Sequence, residues 1–417
     1  MLSAVENKPL TLERPLPDSP LVLSYGAGLD STGVLVLFKR NGIVPDMIIT
    51  ADTGGEKPET WAACAAVSDW CVKNGFPPVT IVKYAPERAR YDTLEDNCLQ
   101  NDTIPSLAFG KGGCSDKFKV KVIDAYLKTW EPAIEAVAAG KKIVRVVGYD
   151  FGSADTDRTF KACAANAARE AGGWQPWHEW YPLREPTVEL GRPGLEKLVA
   201  SEPELAAALE KVIDQSFPIK SACFFCPAAR KHELDWLCTK HPEMAWRGAV
   251  MEHRARWGKH GLSVTGLGRD WSWVEYLTGT GFLGPDWLEE AKAKGLLPEG
   301  WDDYVELVTP VREGLNGARA KIKATRKAAK IKAKDFKAML ESDGTKPIHW
   351  TEEILAVLEA TLELEEATKA RDGLPLAPDW AAKPLGTITK EERKAKRAVN
   401  KLWNTALKAT QAAKKGE

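Results

Sequence analysis

The sequence predicts an α/β protein: a parallel sheet with helices on both faces, followed by a helical C-terminal region. Three observations carry this. Over the first 190 residues, short apolar β-rich runs alternate with segments of helical period, the pattern of strand–helix–strand units. The apolar run at 21–24 passes through a glycine-containing loop directly into a second apolar stretch, 32–41, of helical period. From about Gly314 the chain becomes alanine-rich with its charges segregated, as in solvated helices.

Taken in order, strands are expected at 21–24, 47–50, 79–83, 143–148 and 178–181, and helices at 32–41, 59–73, 115–129 and 156–171. A helical insertion is expected at 186–217, and a cysteine motif followed by amphipathic helix at 221–257. The expected domains are an N-terminal extension at 1–19, an α/β domain at 20–258 and a mainly helical, basic region at 259–417. At 417 residues and 44% apolar content the chain can bury a full core. No stretch approaches the roughly 18 apolar residues of a membrane span, and residues 1–20 lack an apolar signal core. The expectation is a cytoplasmic protein without a membrane partner. Its eight cysteines then read as thiols or metal ligands rather than disulfides.

The segment Leu21-Val22-Leu23-Ser24-Tyr25-Gly26-Ala27-Gly28-Leu29-Asp30-Ser31-Thr32 has the makings of a phosphate cradle. Gly26 and Gly28 can take backbone angles that turn amides toward an anion. The helix opening near Asp30 aims its free N–H groups and positive dipole end at the same place. Ser24, Ser31 and Thr32 add hydroxyls. No lysine follows the last glycine, so this is not the Gly-x4-Gly-Lys-Ser/Thr loop. At the second strand end stands Asp52-Thr53-Gly54-Gly55-Glu56-Lys57-Pro58-Glu59-Thr60, at the fourth Gly148-Tyr149-Asp150, leading to Asp155 and Arg158. Parallel sheets bind ligands at such carboxyl ends.

The first loop resembles the Ser-Gly-Gly-x-Asp-Ser loop of the PP-loop ATP pyrophosphatases, with Tyr25 and Ala27 as departures. Together with the second strand end it is similar to the PAPS reductase family within that superfamily, over residues 20 to 255. The resemblance implies a Rossmann-like, adenine nucleotide alpha hydrolase-like fold. It implies ATP or a PAPS-like nucleotide held by Ser24, Tyr25, Gly26, Gly28, Asp30, Ser31, Thr32, Asp52, Thr53, Gly54 and Glu56, with the adenine beside Ala51–Thr53. Asp30, Lys117 and Arg158 then take catalytic roles, Asp30 toward Mg2+ and the two cations, with Lys119, toward the phosphates. The pyrophosphate would leave after an acceptor oxygen on a nucleobase attacks the α-phosphorus.

Cys223-Phe224-Phe225-Cys226 can chelate a metal from one turn, and by itself reads as half a zinc site, a redox pair or cluster ligation. The family context adds Cys114, giving the set Cys114, Cys223 and Cys226. Three thiolates suit a [4Fe–4S] cluster with one open iron, as in cluster-dependent tRNA thiolases, and sulfur transfer from a donor protein. Zinc, with Cys238, His232 or His241 as fourth ligand, is an alternative, and so is no metal. The last cysteine is Cys238, so the mobile tail thiol of assimilatory reductases has no counterpart. Two other readings stand beside the ATP-dependent enzyme: a sulfonucleotide-binding reductase-like enzyme, and a non-catalytic nucleotide- or nucleic-acid-binding component.

Residues 312–337 carry ten basic against two acidic side chains, and 390–417 are again basic. A cationic helix there could bind nucleic acid through phosphates, with Trp271, Trp273 and Tyr276 stacking on bases. The competing expectation pairs it with the acidic stretch 351–366 in the same chain.

Overall fold

The structure is a computed structural model that describes residues 10–188, 190–212, 222–257, 265–328, 352–374, 376–377, 379, 383, 386 and 388–414. Five strands form one sheet: β1 (Leu21–Ser24), β2 (Met47–Asp52), β3 (Val79–Lys83), β4 (Ile143–Val147) and β5 (Trp177–Trp180). Their order is β3-β2-β1-β4-β5 and every pairing is parallel. Strand order therefore reverses between β1 and β4, which opens a crevice at their carboxyl ends.

Alternation along the strands sorts the core into two faces. Leu21 and Leu23 point to the side covered by the helices Leu29–Arg40 and Pro58–Lys73 and by the insertion helices Arg192–Ala200 and Pro203–Val212. Val22, Met47 and Ile49 face Lys121–Leu127, Glu131–Ala138 and Trp403. A third core gathers Leu94, Cys98, Phe118, Phe224 and Phe225 with the helices Lys231–Lys240, Pro242–Trp257, Trp273–Gly279 and Trp287–Ala293.

The strands fall where their apolar runs place them, within two residues. The expected helix at 115–129 is broken instead. A short turn at Gly113–Ser115 passes into a π-helical stretch, Asp116–Val120, before Lys121–Leu127. Such bulges re-aim side chains, and this one buries Phe118. The part of the expected insertion at 213–217 lies outside the described residues.

The C-terminal region divides in two. Trp301–Ala328 packs along Glu352–Asp372, with Lys321 paired to Glu363. Of the two expectations for the first basic stretch, the pairing with an acidic helix is the one seen; 329–337 lie outside the described residues. Lys390–Ala413 behaves differently. It returns to the sheet and buries Trp403 against Trp177, ring centroids 5.7 Å apart. Trp271 and Tyr276 pack edge-to-face, with the Lys231 ammonium over both rings. Trp273 is wholly buried, so it has no face to offer a base. Among the described residues no helix is long and apolar enough to cross a membrane.

Candidate functional site

The loop after β1 sits in the crevice. Tyr25 extends the ladder, its N–H donating to Ile49 O at 2.8 Å, and its ring turns into the core at 3% exposure. The phenol meets Thr32 Oγ1 at 3.2 Å, and burial pushes its pKa far up. The Tyr25 ring is therefore turned away from the crevice. Ala27 has φ 53°, the left-handed region that costs a residue with a Cβ about 1–2 kcal/mol. Gly28 is the N-cap of Leu29–Arg40 and supplies no side-chain cap, so the first-turn amides keep their donors for the crevice. The hydroxyls do other work than expected. Ser31 Oγ accepts from Gly26 N at 3.2 Å, and Ser31 and Thr32 both donate to Gly28 O, at 3.2 and 2.9 Å. They brace the loop, and the backbone is left to meet an anion.

Gly148 closes the far wall. A Cβ there would stand 3.0 Å from Ser31 N and 3.1 Å from the Asp30 carbonyl carbon, so only glycine lets β4 approach the helix start. Burial pushes Asp30 up to about 6, aided by the charges of Asp150 and Asp155 and opposed by Arg192. An Asp30 carboxyl raised by burial and by two neighbouring carboxylates fits a cation brought in with a triphosphate. Among the described residues, no group of three or more His, Cys, Asp or Glu is spaced to hold a metal unaided.

The turn after β2 is wired to the cysteine motif. Asp52 accepts from Gly54 N at 2.7 Å and pairs with Lys83 at 2.8 Å. Glu56 accepts from Thr53 N at 3.0 Å and Thr53 Oγ1 at 2.8 Å, and lies 3.8 Å from Lys119. With the Thr53 proton given to Glu56, the Cys223 thiol donates to Thr53 Oγ1, 3.1 Å away. Phe224 N donates to Gly55 O at 2.7 Å, and Lys57 Nζ to Ala222 O at 2.8 Å. Gly55 has to be glycine: a Cβ would stand 2.7 Å from the Phe225 ring. Glu59 turns away from the first loop to His241, 2.7 Å apart.

Cys223 and Cys226 share one turn, Cys226 N to Cys223 O at 3.0 Å. Cys226 is near enough to Cys114 to feel its charge, and Cys98, 1% exposed, feels Cys114 and Cys223. Burial pushes Cys223 up to about 12 and raises Cys226, so both are protonated thiols at neutral pH. The fold thus gathers the three expected cysteines, but not at metal-site spacing. As they stand they do not fit an iron–sulfur or zinc centre, and we derive no step through one. Burial lowers the pKa of Lys57, which is 7% exposed, while the carboxylates of Glu233 and Glu59 favour its charge.

The two expected phosphate cations each have a protein partner. Lys117 donates to Asn97 Oδ1 at 3.1 Å and lies among Tyr84, Tyr91 and Phe118, 4.5 Å above the Tyr91 ring. Arg158 is exposed on the helix Ser153–Ala171 and pairs with Asp155 at 2.7 Å. Beside Cys114 a cavity of about 350 Å³ is lined by Asn97, Phe109, Lys111 and Lys117, room for a planar, anionic group. Sequence reasoning passed over Lys57, Cys98 and Gly148. Lys57 and Gly148 lie inside the quoted motifs, yet only the tertiary contacts single them out. Cys98 carries no local signal. No family model, curated protein or solved structure matches this chain.

Proposed function

We propose that the chain is an ATP-dependent enzyme that adenylates an oxygen of an acceptor and releases pyrophosphate. One observation carries the reading: an uncapped helix N-terminus and a braced, glycine-flanked loop lie at the reversal of strand order. The triphosphate lies on the amides of the Gly26–Asp30 loop, with adenine along Ala51–Thr53. The acceptor oxygen attacks the α-phosphorus, the bond to the bridging oxygen breaks, and the first-turn amides stabilise the departing charge. Magnesium, held by Asp30 with phosphate oxygens, neutralises the phosphates when bound.

The half-exposed Cys114 cavity is the acceptor's place in this reading. A hydrosulfide-level sulfur from a donor protein then forms the new C–S bond as the C–O bond breaks and AMP leaves. A second reading, nucleotide binding without turnover, draws on Lys117 and Arg158 being already engaged, with Asn97 and Asp155. Incubation with γ-labelled ATP and defined acceptors (mixed tRNA, duplex DNA, free nucleosides) separates the two. Acceptor-dependent labelled pyrophosphate is the expected product. Tight ATP binding with neither pyrophosphate nor orthophosphate released would favour the second reading. Orthophosphate in place of pyrophosphate would contradict the adenylation.

A further inference from the structure

The two basic helices of the C-terminal region have opposite surroundings. Cations of Trp301–Ala328 face an acidic partner helix, as Lys321 does Glu363. In Lys390–Ala413 the positions Lys390, Lys394, Arg397, Lys401 and Lys408 are all exposed. Their spacing of four, three, four and seven residues, at 100° per residue, puts all five in an arc of about 60° along roughly 27 Å of helix. No Asp or Glu occurs from Arg393 to Lys414, and Glu392 is used in the capping box with Thr389. Arg397 pairs with Glu87 at 3.1 Å and keeps 64% of its side chain exposed.

The opposite face of the same helix is occupied. Trp403 is in the sheet's core, and Thr410 donates to Val137 O. A cationic helix that lies on a membrane needs a free apolar face, and this one has spent its own. What remains is a rigid row of cations at intervals of about 5–10 Å, suited to a chain of phosphates. The row also has a direction. Its first half lies beside Ala85, Glu87 and Ala89, just past the carboxyl end of β3, through Lys396 to Ala85 O and Gly386 N to Ala89 O. Its far end lies by Val137 and Trp174, ahead of β4 and β5. The row therefore runs up to the edge where Tyr84 and Tyr91 border Lys117 and the Cys114 cavity.

We propose that this stripe is a docking track for the sugar–phosphate backbone of a nucleic acid, led toward the Cys114 edge. It deepens the functional reading by naming the acceptor class, but the binding needs no ATP, so the two can fail separately.

The test is fluorescence anisotropy without nucleotide, using labelled probes of about 20 nucleotides as single-stranded DNA, duplex DNA and an RNA hairpin, from ~50 to ~300 mM salt. At least one probe binds, with an affinity that falls steeply as salt rises. The triple variant Lys394→Glu, Arg397→Glu, Lys401→Glu loses about 30-fold or more at low salt, and its log–log salt slope drops by roughly 2–3. The charge-matched control Arg319→Glu, Lys323→Glu, Lys327→Glu stays within about twofold of wild type. Should the reversal variant melt early, the Lys394→Gln, Arg397→Gln, Lys401→Gln variant replaces it with the same expectation. The arms tell DNA from RNA. Absence of binding to every probe at low salt, or equal binding by the stripe variant and wild type, would overturn the proposal.

Discussion

The loop after β1 and the cysteine turn lie one strand apart and are built in opposite ways. At the loop, the helix start has no side-chain cap, and Asp30 is held against two further carboxylates. The first-turn amides there have no side-chain cap, although Asp155 has Arg158 and Asp30 has the charge of Arg192 nearby. At the turn, Glu56 collects the amide and hydroxyl of Thr53, Thr53 takes the Cys223 thiol, and Lys57 reaches Ala222 O. Groups there satisfy one another. A site that waits for an anion and a cation looks like the first. A wall that fixes where the ligand's other end lies looks like the second.

The largest expected effect breaks the loop alone. Asp30→Ala should cut ATP-dependent pyrophosphate release about 100-fold, in line with losing one key electrostatic group, while leaving the melting temperature near or above wild type. A variant that retained full activity would remove Asp30 from the site.

Next comes the turn. Thr53→Val removes one of the hydrogen bonds to Glu56, which keeps the Thr53 amide and Lys119, and strands the Cys223 thiol in a buried place, which should cost about 1–3 kcal/mol of stability by denaturant titration. ATP affinity should shift less than Asp30→Ala shifts turnover. An unchanged denaturation midpoint would show that the network is not the brace described.

The pH responses of the two sides have opposite sign. Asp30 binds its proton more tightly folded, at about 6 against 3.8, so its contribution to stability is full below 3.8 and lost as pH rises through about 6. His253, in the core beyond the cysteine turn with Trp287 5.4 Å away, is pushed down to about 4 from 6.5, by burial first. Its contribution is full above 6.5 and lost as pH falls through about 4. In the wild type the two trends partly offset. Asp30→Asn should expose stability that rises with pH across this window, and His253→Phe stability that falls with it, each by about 1 kcal/mol after solvent screening. Parallel curves for the two variants would contradict the assignment. The smallest effect is Ala27→Gly, where relief of the left-handed backbone and the extra freedom of the unfolded chain nearly cancel, leaving a gain of about 0.5 kcal/mol.

Much of the sheet was legible because a buried parallel strand writes itself as a short apolar run, as Leu21–Ser24 and Met47–Asp52 do. The loop was legible because its glycines and the Asp-Ser-Thr helix start are local. What stayed hidden is long-range. Lys57 reads as a surface lysine until the segment 165 residues on closes over it at Ala222. Trp403 sits in a run of lysines and alanines that reads as solvated, yet it fills the core under Trp177. Arg254, 1% exposed, owes its burial to Asp379 at 2.9 Å, a partner that no spacing rule connects to it. Lys117 and Arg158 show the converse. Each is expected at the phosphates by motif, and each has a protein partner that the motif does not show, Asn97 and Asp155.

The most direct measurement is ATP binding by calorimetry to wild type and Gly28→Asp, each with its thermal melt. Gly28 has φ −117° and ψ 174°, extended backbone that any residue adopts. An aspartate there should cap the helix, adding about 1 kcal/mol, and place a carboxylate where the phosphates belong. The account predicts that wild type binds ATP, while the variant is at least as stable and binds it about 30-fold more weakly or not at all. Equal affinity in a stable variant, or no ATP binding by wild type, would contradict it.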